Sequence, residues 1–166
     1  MLRILSLNIA LEDTMTHVED EAKKFWEEIE KERGGKVNFF TFATFLGESG
    51  GRQVSLGGLL YVVKDVVYFE DFEKENWFAK IFSRRQKWEK TEFSFDKKKI
   101  IEIRLVSKGA ALNCIAGYID EAETKPISKL FAALFQSVVQ IRLKSRGSLF
   151  FDIMRNKDFL KALSKA

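Results

Sequence analysis

The chain has 166 residues, of which 46% are hydrophobic and 31% are charged, with a net charge of +4. This length allows one globular domain to bury a core without a metal or a disulfide staple, and the single cysteine, Cys114, excludes an internal disulfide and favours a reducing compartment. No stretch approaches the roughly 20 apolar residues of a membrane span. The apolar run at the start is a poor secretory signal, because Asn8 interrupts it and Glu12-Asp13 follows it. We therefore predict a cytoplasmic protein.

Charge is distributed unevenly along the chain. Residues 1–33 contain five Lys or Arg and nine Asp or Glu, whereas residues 124–166 contain nine and two. The basic end is suited to contact phosphates or anionic lipid, although charged helix faces that simply meet solvent are the commoner case. We expect one compact unit with three regions: an N-terminal segment and helix (1–35), a barrel with a closing helix (36–145) and a C-terminal helical extension (146–166).

The region from Thr14 to Arg33 has helical periodicity. Its apolar residues recur three or four positions apart in one narrow stripe, formed by Met15, Val18, Ala22, Phe25 and Ile29. Gly34-Gly35 is expected to end this helix. We favour packing of the stripe on its own domain over a dimer seam. For the first eleven residues, both a strand and a helix stay open.

Two strand regions follow. Val37 to Leu46 is rich in apolar residues on both faces, which predicts a strand that is covered on both sides. In Leu56 to Phe72, two runs of β-branched and aromatic residues flank the polar pair Lys64-Asp65, which predicts a hairpin with a tight turn. One buried wall of the barrel is then expected to include Leu60, Val62, Val67 and Phe69.

Residues 73–90 interrupt the strand pattern. Asn76 can cap a short helix, and the segment combines apolar and aromatic side chains with cations. Such a combination suits an interface that is apolar below and anionic above. We therefore predict a contact surface for a partner protein or an anionic membrane, formed by Trp77, Phe78, Ile81, Phe82, Arg84, Arg85, Lys87 and Trp88. The alternative is that the apolar residues close a barrel end while the cations face solvent.

Strands are predicted to resume at Thr91–Phe95, Ile100–Val106 and Leu112–Ile119. In the second of these, three apolar residues alternate with Glu102 and Arg104, which predicts one buried face formed by Ile101, Ile103 and Leu105. In the third, Gly117 would mark a bulge.

Beyond Asp120 the apolar period changes from that of a strand to that of a helix. Pro126 suits a first helical turn, and residues 126–141 carry a broad apolar stripe that predicts a helix docked on the barrel. Gly147-Ser148 is expected to cap a last helical stretch that contains Phe150, Phe151, Met154, Phe159, Leu160 and Leu163. The predicted fold class is α+β: a mostly antiparallel bent β-barrel or sheet with an N-terminal amphipathic helix and C-terminal helices.

Catalytic motifs are missing from the sequence. The one histidine, His17, lies on the acidic helix, and there is no His/Cys cluster, no serine beside a base and no glycine-rich phosphate loop. Cys114 is interpreted as a small core residue rather than a nucleophile. We predict a protein that is not an enzyme and that carries no cofactor or metal, although acids from distant strands could still meet in the fold.

The hairpin resembles that of GRAM and pleckstrin-homology-like domains. Gly58-Leu59-Leu60-Tyr61-Val62-Val63 and Val66-Val67-Tyr68-Phe69 are similar to that family's "glycine, Leu-Tyr-Val-Thr, turn, Leu-Tyr-Phe", and Ile100-Ile101-Glu102-Ile103 falls where the family carries a later strand. The resemblance covers roughly Val37 to Ile141. It implies a bent, partly open barrel closed by the helix at 126–141, and a domain that binds phosphoinositides, anionic membrane or proteins without catalysis. The insertion at 73–90 and the C-terminal extension depart from the family pattern.

A second resemblance overlaps the first. Gln53-Val54-Ser55-Leu56-Gly57-Gly58 looks like the "Asp/Asn-x-Ser-x-x-Gly" motif of PilZ domains, which implies a barrel that binds cyclic di-GMP. Gln53 replaces the first residue of the motif, and the upstream Arg-x-x-x-Arg of that family is absent because Arg33 and Arg52 lack its spacing. In such a site the two arginine side chains are needed to form bidentate hydrogen bonds with the phosphates and to stack on guanine.

Three hypotheses about function follow, in order of preference. The first is a pleckstrin-homology-like adaptor domain whose segment 73–90 contacts a protein partner or an anionic membrane. The second is a PilZ-like receptor for cyclic di-GMP. The third is a structural subunit of a homo-oligomer, joined through the N-terminal stripe and the phenylalanine-rich C-terminal helices. Nucleic-acid binding is disfavoured because no strand face pairs exposed aromatic residues.

Overall fold

The computed structural model describes residues 20, 22–72, 91–128 and 136–164. The chain divides into two compact units, Met1–Val37 and Asn38–Ala166. In the first unit, residues 22–33 form helix α1. It ends at Gly34, whose φ of 66° is left-handed, and Gly35 donates its N–H to Glu30 O at 3.0 Å. The predicted helix and its glycine end are confirmed over the described part, whereas residues 1–19 lie outside the described residues.

The remaining elements build a seven-stranded antiparallel sheet that curls into a half-barrel. Its strands are β1 (Val37–Glu48), β2 (Leu56–Val63), β3 (Val66–Asp71), β4 (Glu92–Asp96), β5 (Ile100–Ser107), β6 (Ser137–Leu143) and β7 (Leu149–Ile153). They are ordered β4-β3-β2-β1-β7-β6-β5, so β4 and β5 are the two terminal strands. The predicted strands at 37–46, 91–95 and 100–106 are confirmed.

The predicted hairpin is formed by β2 and β3. Leu60 lies opposite Phe69 and Val62 opposite Val67, and the two-residue turn holds Lys64 at a φ of 52°. All four of these apolar side chains are fully buried in the main core. The hairpin and its buried wall are therefore confirmed, because period-two alternation around a polar turn fixes both the pairing and the face.

The main core fills the inner face of the half-barrel. Four phenylalanine rings lie at its centre, and every pair among them has a centroid separation between 5.0 and 6.2 Å; they are Phe45, Phe69, Phe93 and Phe151. A C-terminal helix, α3 (Asn156–Ser164), adds Phe159 and Leu163 to the same core. The inner face is thus closed by α3. No helix in the described parts of the chain is long and apolar enough to cross a membrane.

A second, smaller core lies on the outer face under helix α2 (Lys108–Ile115). The predicted strand at 112–119 is wrong here. Ser107 caps the helix by accepting a hydrogen bond from Ala110 N at 3.1 Å. Ala111, Cys114 and Ile115 then share one buried helix face, and Gly117 ends the turn with a φ of 76° rather than forming a bulge.

The predicted helix at 126–141 is also wrong, since residues 137–141 belong to β6. Val139 and Ile141 join the inner core, while Val138 joins the outer one. Because β6 is covered on both faces, its apolar residues are continuous and mimic a broad helical stripe. Pro126 forms an isolated antiparallel bridge with Val106 instead of a first helical turn. Residues 129–135 lie outside the described residues.

The last predicted helical stretch is half wrong for the same reason. Its first part, with Phe150 and Phe151, is strand β7, and these two rings lie in the outer and the inner core respectively. Only its second part, from Asn156, is the helix α3. Both corrected strands lie inside the sheet, where burial on both faces removes the alternation that marks a strand.

Candidate functional site

The aromatic and basic residues predicted as a contact surface lie outside the described residues: Trp77, Phe78, Ile81, Phe82, Arg84, Arg85, Lys87 and Trp88. The structure does describe the two residues where this segment leaves and rejoins the sheet. Asp71 N donates to Thr91 O at 3.1 Å, and Thr91 N donates to Asp71 Oδ1 at 3.1 Å. The chain on either side of the segment is therefore held together by these two hydrogen bonds. The role of the segment as a contact surface stays a prediction.

Cys114 lies in α2 and is only 1% exposed. Burial, and then the charges of Glu121 and Asp120, raise the pKa of its thiol. A protonated and inaccessible thiol fits the predicted core role. Within the described ranges, no group of three His, Cys, Asp or Glu side chains is arranged to hold a metal ion.

The glycine of the PilZ-like motif has a structural reason to be there. A Cβ atom on Gly58 would lie 2.2 Å from Glu70 O of the neighbouring strand, so only glycine lets β2 and β3 approach at this point. The nearby Arg52, Gln53 and Ser55 are exposed. The motif is thus explained in part by strand packing.

A groove of about 700 Å³ lies between the terminal strand β5 and helix α3, and we call it the β5–α3 groove. Its wall is largely apolar, with lysine and acidic residues at one end. It is defined by Ile100, Ile101, Ile103, Leu160, Leu163 and Lys98. In the described residues, this is where an apolar helix face meets a sheet edge.

Among the described residues, the sheet edge in this groove is covered only at one end. At the far end of β5, Leu105 O accepts a hydrogen bond from Ile127 N at 2.8 Å, and Val106 bridges to Pro126. The backbone N–H and C=O groups of successive residues in a strand point alternately to its two neighbours. Those of Ile103 therefore point to the side away from β6, as those of Leu105 do. No described strand pairs with that side between Ile100 and Arg104.

Ile101 was predicted to share a buried face with Ile103 and Leu105, and this is wrong. The β5–β6 register shifts between Ile100 and Glu102, which is a bulge. Ile103 and Leu105 pack against the inner core, but Ile101 is 56% exposed at the groove. The bulge therefore presents an apolar side chain beside an open strand edge.

Helix α3 is held firmly against the sheet on the other side of the groove. Phe159 is fully buried, and its ring lies 6.0 Å from the ring of Phe39. Near the end of the helix, Lys97 Nζ donates to Ala162 O at 3.2 Å, which satisfies a terminal carbonyl. Leu160 thus faces the groove from a fixed position.

Lysines gather at the start of β5. The 3₁₀ turn Lys97–Lys99 precedes this strand, Lys97 N donates to Asp65 O at 2.8 Å, and Lys144 N donates to Lys99 O at 2.9 Å. These bonds bring two hairpin turns to the same place. We define the lysine cluster as Lys64, Lys98, Lys99 and Lys144, all exposed and without an ion pair to any described residue.

A buried polar network lies on the outer face of β5 and β6. Gln140 Oε1 accepts from Arg104 Nε at 2.8 Å and from Thr124 Oγ1 at 2.7 Å, while Gln140 Nε2 donates to Ser148 Oγ at 2.9 Å. Arg104 also donates to Glu121 O at 2.6 Å. The network fixes residues 121–124 on the sheet, and with them the segment that covers the far end of β5.

Glu121 connects this network to the loops after β1 and β6. Burial by itself raises the pKa of its carboxyl, but hydrogen bonds from Ser49 and Ser148 and the charge of Arg142 outweigh burial and hold the pKa below its usual value. Ser148 N donates to Glu121 Oε1 at 2.7 Å. The ionised carboxylate therefore stabilises the folded state.

This gives a prediction about pH. Because the folded pKa lies below the unfolded one, the contribution of Glu121 is complete above about pH 4.3 and is lost as the pH falls through the folded pKa. We expect Glu121→Gln to lower the free energy of unfolding by about 1–2 kcal/mol at pH 7, and by less at about pH 3. Urea titrations at both pH values measure this, with Glu28→Gln, an exposed carboxylate of α1, as the control. A cost that is the same at both pH values would contradict it.

A second apolar surface lies on the outer face around Phe42, which is 51% exposed. Its ring lies 5.7 Å from that of Phe72, and Met154 is close by and also exposed. The sequence did not group these residues, because Met154 fell in a predicted helical stretch and Phe42 in a strand predicted to be covered on both sides. That coverage is wrong at Phe42 within the described residues. The described residues do not cover this part of the face.

Comparison with known proteins yields little. No protein-family model and no curated protein sequence matches this chain. One solved structure that is similar is the crystal structure of the C-terminal domain of an unknown protein from Leishmania infantum, with a TM-score of 0.48 and 10% sequence identity, covering 87% of this chain and 95% of that chain. The comparisons thus assign neither a family nor a function.

Proposed function

We propose that this chain is a non-catalytic, pleckstrin-homology-like binding domain that receives an extended segment of a partner protein in the β5–α3 groove. The observation that carries the proposal is the edge of β5 from Ile100 to Arg104, which pairs with no described strand and lies beside the apolar side of α3. An open strand edge offers unpaired N–H and C=O groups, and an added strand satisfies them.

The pleckstrin-homology-like class is supported by the order of the elements. The resemblance implies a bent, partly open barrel closed by a helix, and the half-barrel is followed directly by α3, which packs Phe159 and Leu163 into the inner core. The closing helix of the proposal is therefore α3 and not residues 126–141.

The dimensions of the groove suit a short strand. The part of the edge that no described residue covers, from Ile100 to Arg104, is about 16 Å long at roughly 3.3 Å per residue, since Pro126 and Ile127 cover the strand beyond it. An added strand would place alternate side chains against Ile101 and Leu160. Backbone hydrogen bonds would then supply affinity, and these apolar contacts would supply selectivity.

A peptide selection tests the proposal. The full chain is panned against a library of random peptides displayed on phage, and the enriched peptides are synthesised and measured by fluorescence anisotropy. We expect enriched sequences with apolar residues at alternate positions, because only every second side chain of an added strand faces α3. Amide exchange at Ile103, whose N–H points away from β6, should slow when such a peptide binds.

The matched variants are Ile101→Asp in the groove and Tyr118→Asp after α2, at two exposed sites where substitution costs little stability. We expect Ile101→Asp to weaken peptide binding by about tenfold, which is about 1.4 kcal/mol, and Tyr118→Asp to bind as the wild type does. A selection without enrichment, or peptides that bind all three proteins equally, would refute the proposal.

A further inference from the structure

We infer that the segment recognised in the β5–α3 groove carries acidic residues directly after its apolar strand residues, at its carboxyl end. This inference rests on the proposed function and adds the charge and the direction of the partner segment. It comes from the lysine cluster, which stands at one end of the groove only.

The lysine cluster leaves an excess of positive charge beside the groove. Lys97 is not counted in the cluster, because its ammonium group already donates a hydrogen bond to Ala162 O. None of the four cluster lysines forms an ion pair with a described residue. The acids next to the cluster are Asp65 and Asp96, and Asp96 Oδ1 already accepts from Lys98 N at 2.7 Å. Complementary charge on a partner is therefore acidic.

The remaining acidic residue that lines the groove, Glu102, does not cancel this excess. Glu102 accepts from Arg142 Nη1 at 2.8 Å and lies 3.6 Å from Arg104 Nη1, so its charge is already balanced within the protein. It also lies beyond Ile101, on the outer face. The positive potential consequently remains at the start of β5.

The direction of the partner segment follows from the sheet. Every strand pairing with a defined register is antiparallel, and so is the bridge between Val106 and Pro126 on the same edge. A strand added antiparallel to β5 has its carboxyl end opposite Ile100, next to the lysine cluster. Acidic residues that follow the apolar residues would lie beside Lys98 and Lys99.

A protein segment explains the combination of features better than an anionic membrane does. A bilayer can attract the four lysines through its headgroups, but it offers no backbone groups to the open edge of β5. The lysine cluster and the open edge adjoin each other at Ile100. One acidic strand-forming segment would use both features.

The test compares three forms of one peptide selected by panning: acidic residues at the carboxyl end, the same residues moved to the amino end, and glutamine in their place. We expect the first form to bind about tenfold more tightly than the other two at about 50 mM salt, with the difference shrinking as salt screens the charges. Tighter binding of the amino-end form would overturn the direction.

A charge-reversal pair of variants gives the second readout. Lys98→Glu with Lys99→Glu is expected to lose the preference for the acidic peptide and to prefer a lysine form of it, because reversal on both sides restores complementarity. The control, Lys36→Glu with Lys125→Glu, changes two exposed lysines elsewhere by the same charge.

The outcomes separate this inference from the proposed function. If peptides bind the groove but show no acidic preference, the inference falls and the proposed function stands. If no peptide binds, the proposed function itself falls. If the charge reversal abolishes co-sedimentation with phosphatidylserine vesicles and leaves peptide binding unchanged, the lysine cluster serves a membrane and the inference is overturned.

Discussion

Phe151→Ala is expected to destabilise the protein by about 3–5 kcal/mol, which is a large part of the roughly 5–15 kcal/mol by which native proteins are stable. The ring is fully buried on β7 and is one of four phenylalanine rings that contact one another, with the other three tilted relative to it. Alanine removes its apolar surface from the core and leaves a cavity lined by Phe45, Phe69 and Phe93. Rigid strands on both sides prevent the cavity from collapsing.

The measurement is a urea or thermal unfolding curve followed by circular dichroism. Phe42→Ala is the matched control, because it makes the same chemical change at a side chain that is half exposed on the outer face of β1. We expect the control to cost less than about 1 kcal/mol. Similar costs at the two positions would contradict the core described here.

Gln140→Leu is expected to lower the free energy of unfolding by about 2–4 kcal/mol, although leucine is as large as glutamine and more apolar. Burial of an apolar side chain does not compensate here. The substitution removes the N–H that donates to Ser148 Oγ and removes one acceptor each from Arg104 and Thr124. Buried polar groups that lose their partners cost about 1–3 kcal/mol each.

Gln136→Leu is the control for this second prediction, since Gln136 is exposed just before β6. Its side chain is in water, so the same substitution is expected to change stability by less than about 0.5 kcal/mol. Amide exchange gives a second measurement: faster exchange at residues 120–124 in Gln140→Leu would show that the network holds this segment. A neutral or stabilising effect of Gln140→Leu would mean that the network contributes nothing net.

Sequence patterns predicted the parts of the fold that local chemistry determines. Hairpin β2–β3 could be predicted because apolar alternation and a two-residue polar turn specify its register without any distant contact. Strands β6 and β7 could not, because Val138–Ile141 and Leu149–Phe151 are buried on both faces by elements far away in sequence. The sequence does contain a signal for helix α2, the capping residue Ser107. The apolar run after it nevertheless favoured the prediction of a strand.

The candidate site was less predictable than the fold. The exposure of Ile101 depends on a one-residue bulge that no pattern in the sequence marks, and the groove depends on β5 being a terminal strand. Lys97–Lys99 is visible as a charge run, but its proximity to Lys64 and Lys144 arises only when two turns meet in the folded sheet. Sites assembled from several hairpins are therefore poorly visible in single-sequence patterns.

The short segment at Pro126 and Ile127 has a consequence for self-association. Long, uncovered strand edges are templates for edge-to-edge aggregation between molecules. This segment covers the end of β5, where Pro126 bridges to Val106 and has no N–H to donate to a further strand. Among the described residues, the part of the edge left unpaired runs from Ile100 to Arg104 and lies beside the lysine cluster. Because like charges on two copies repel, the covered end and the lysines both disfavour edge-to-edge pairing between copies.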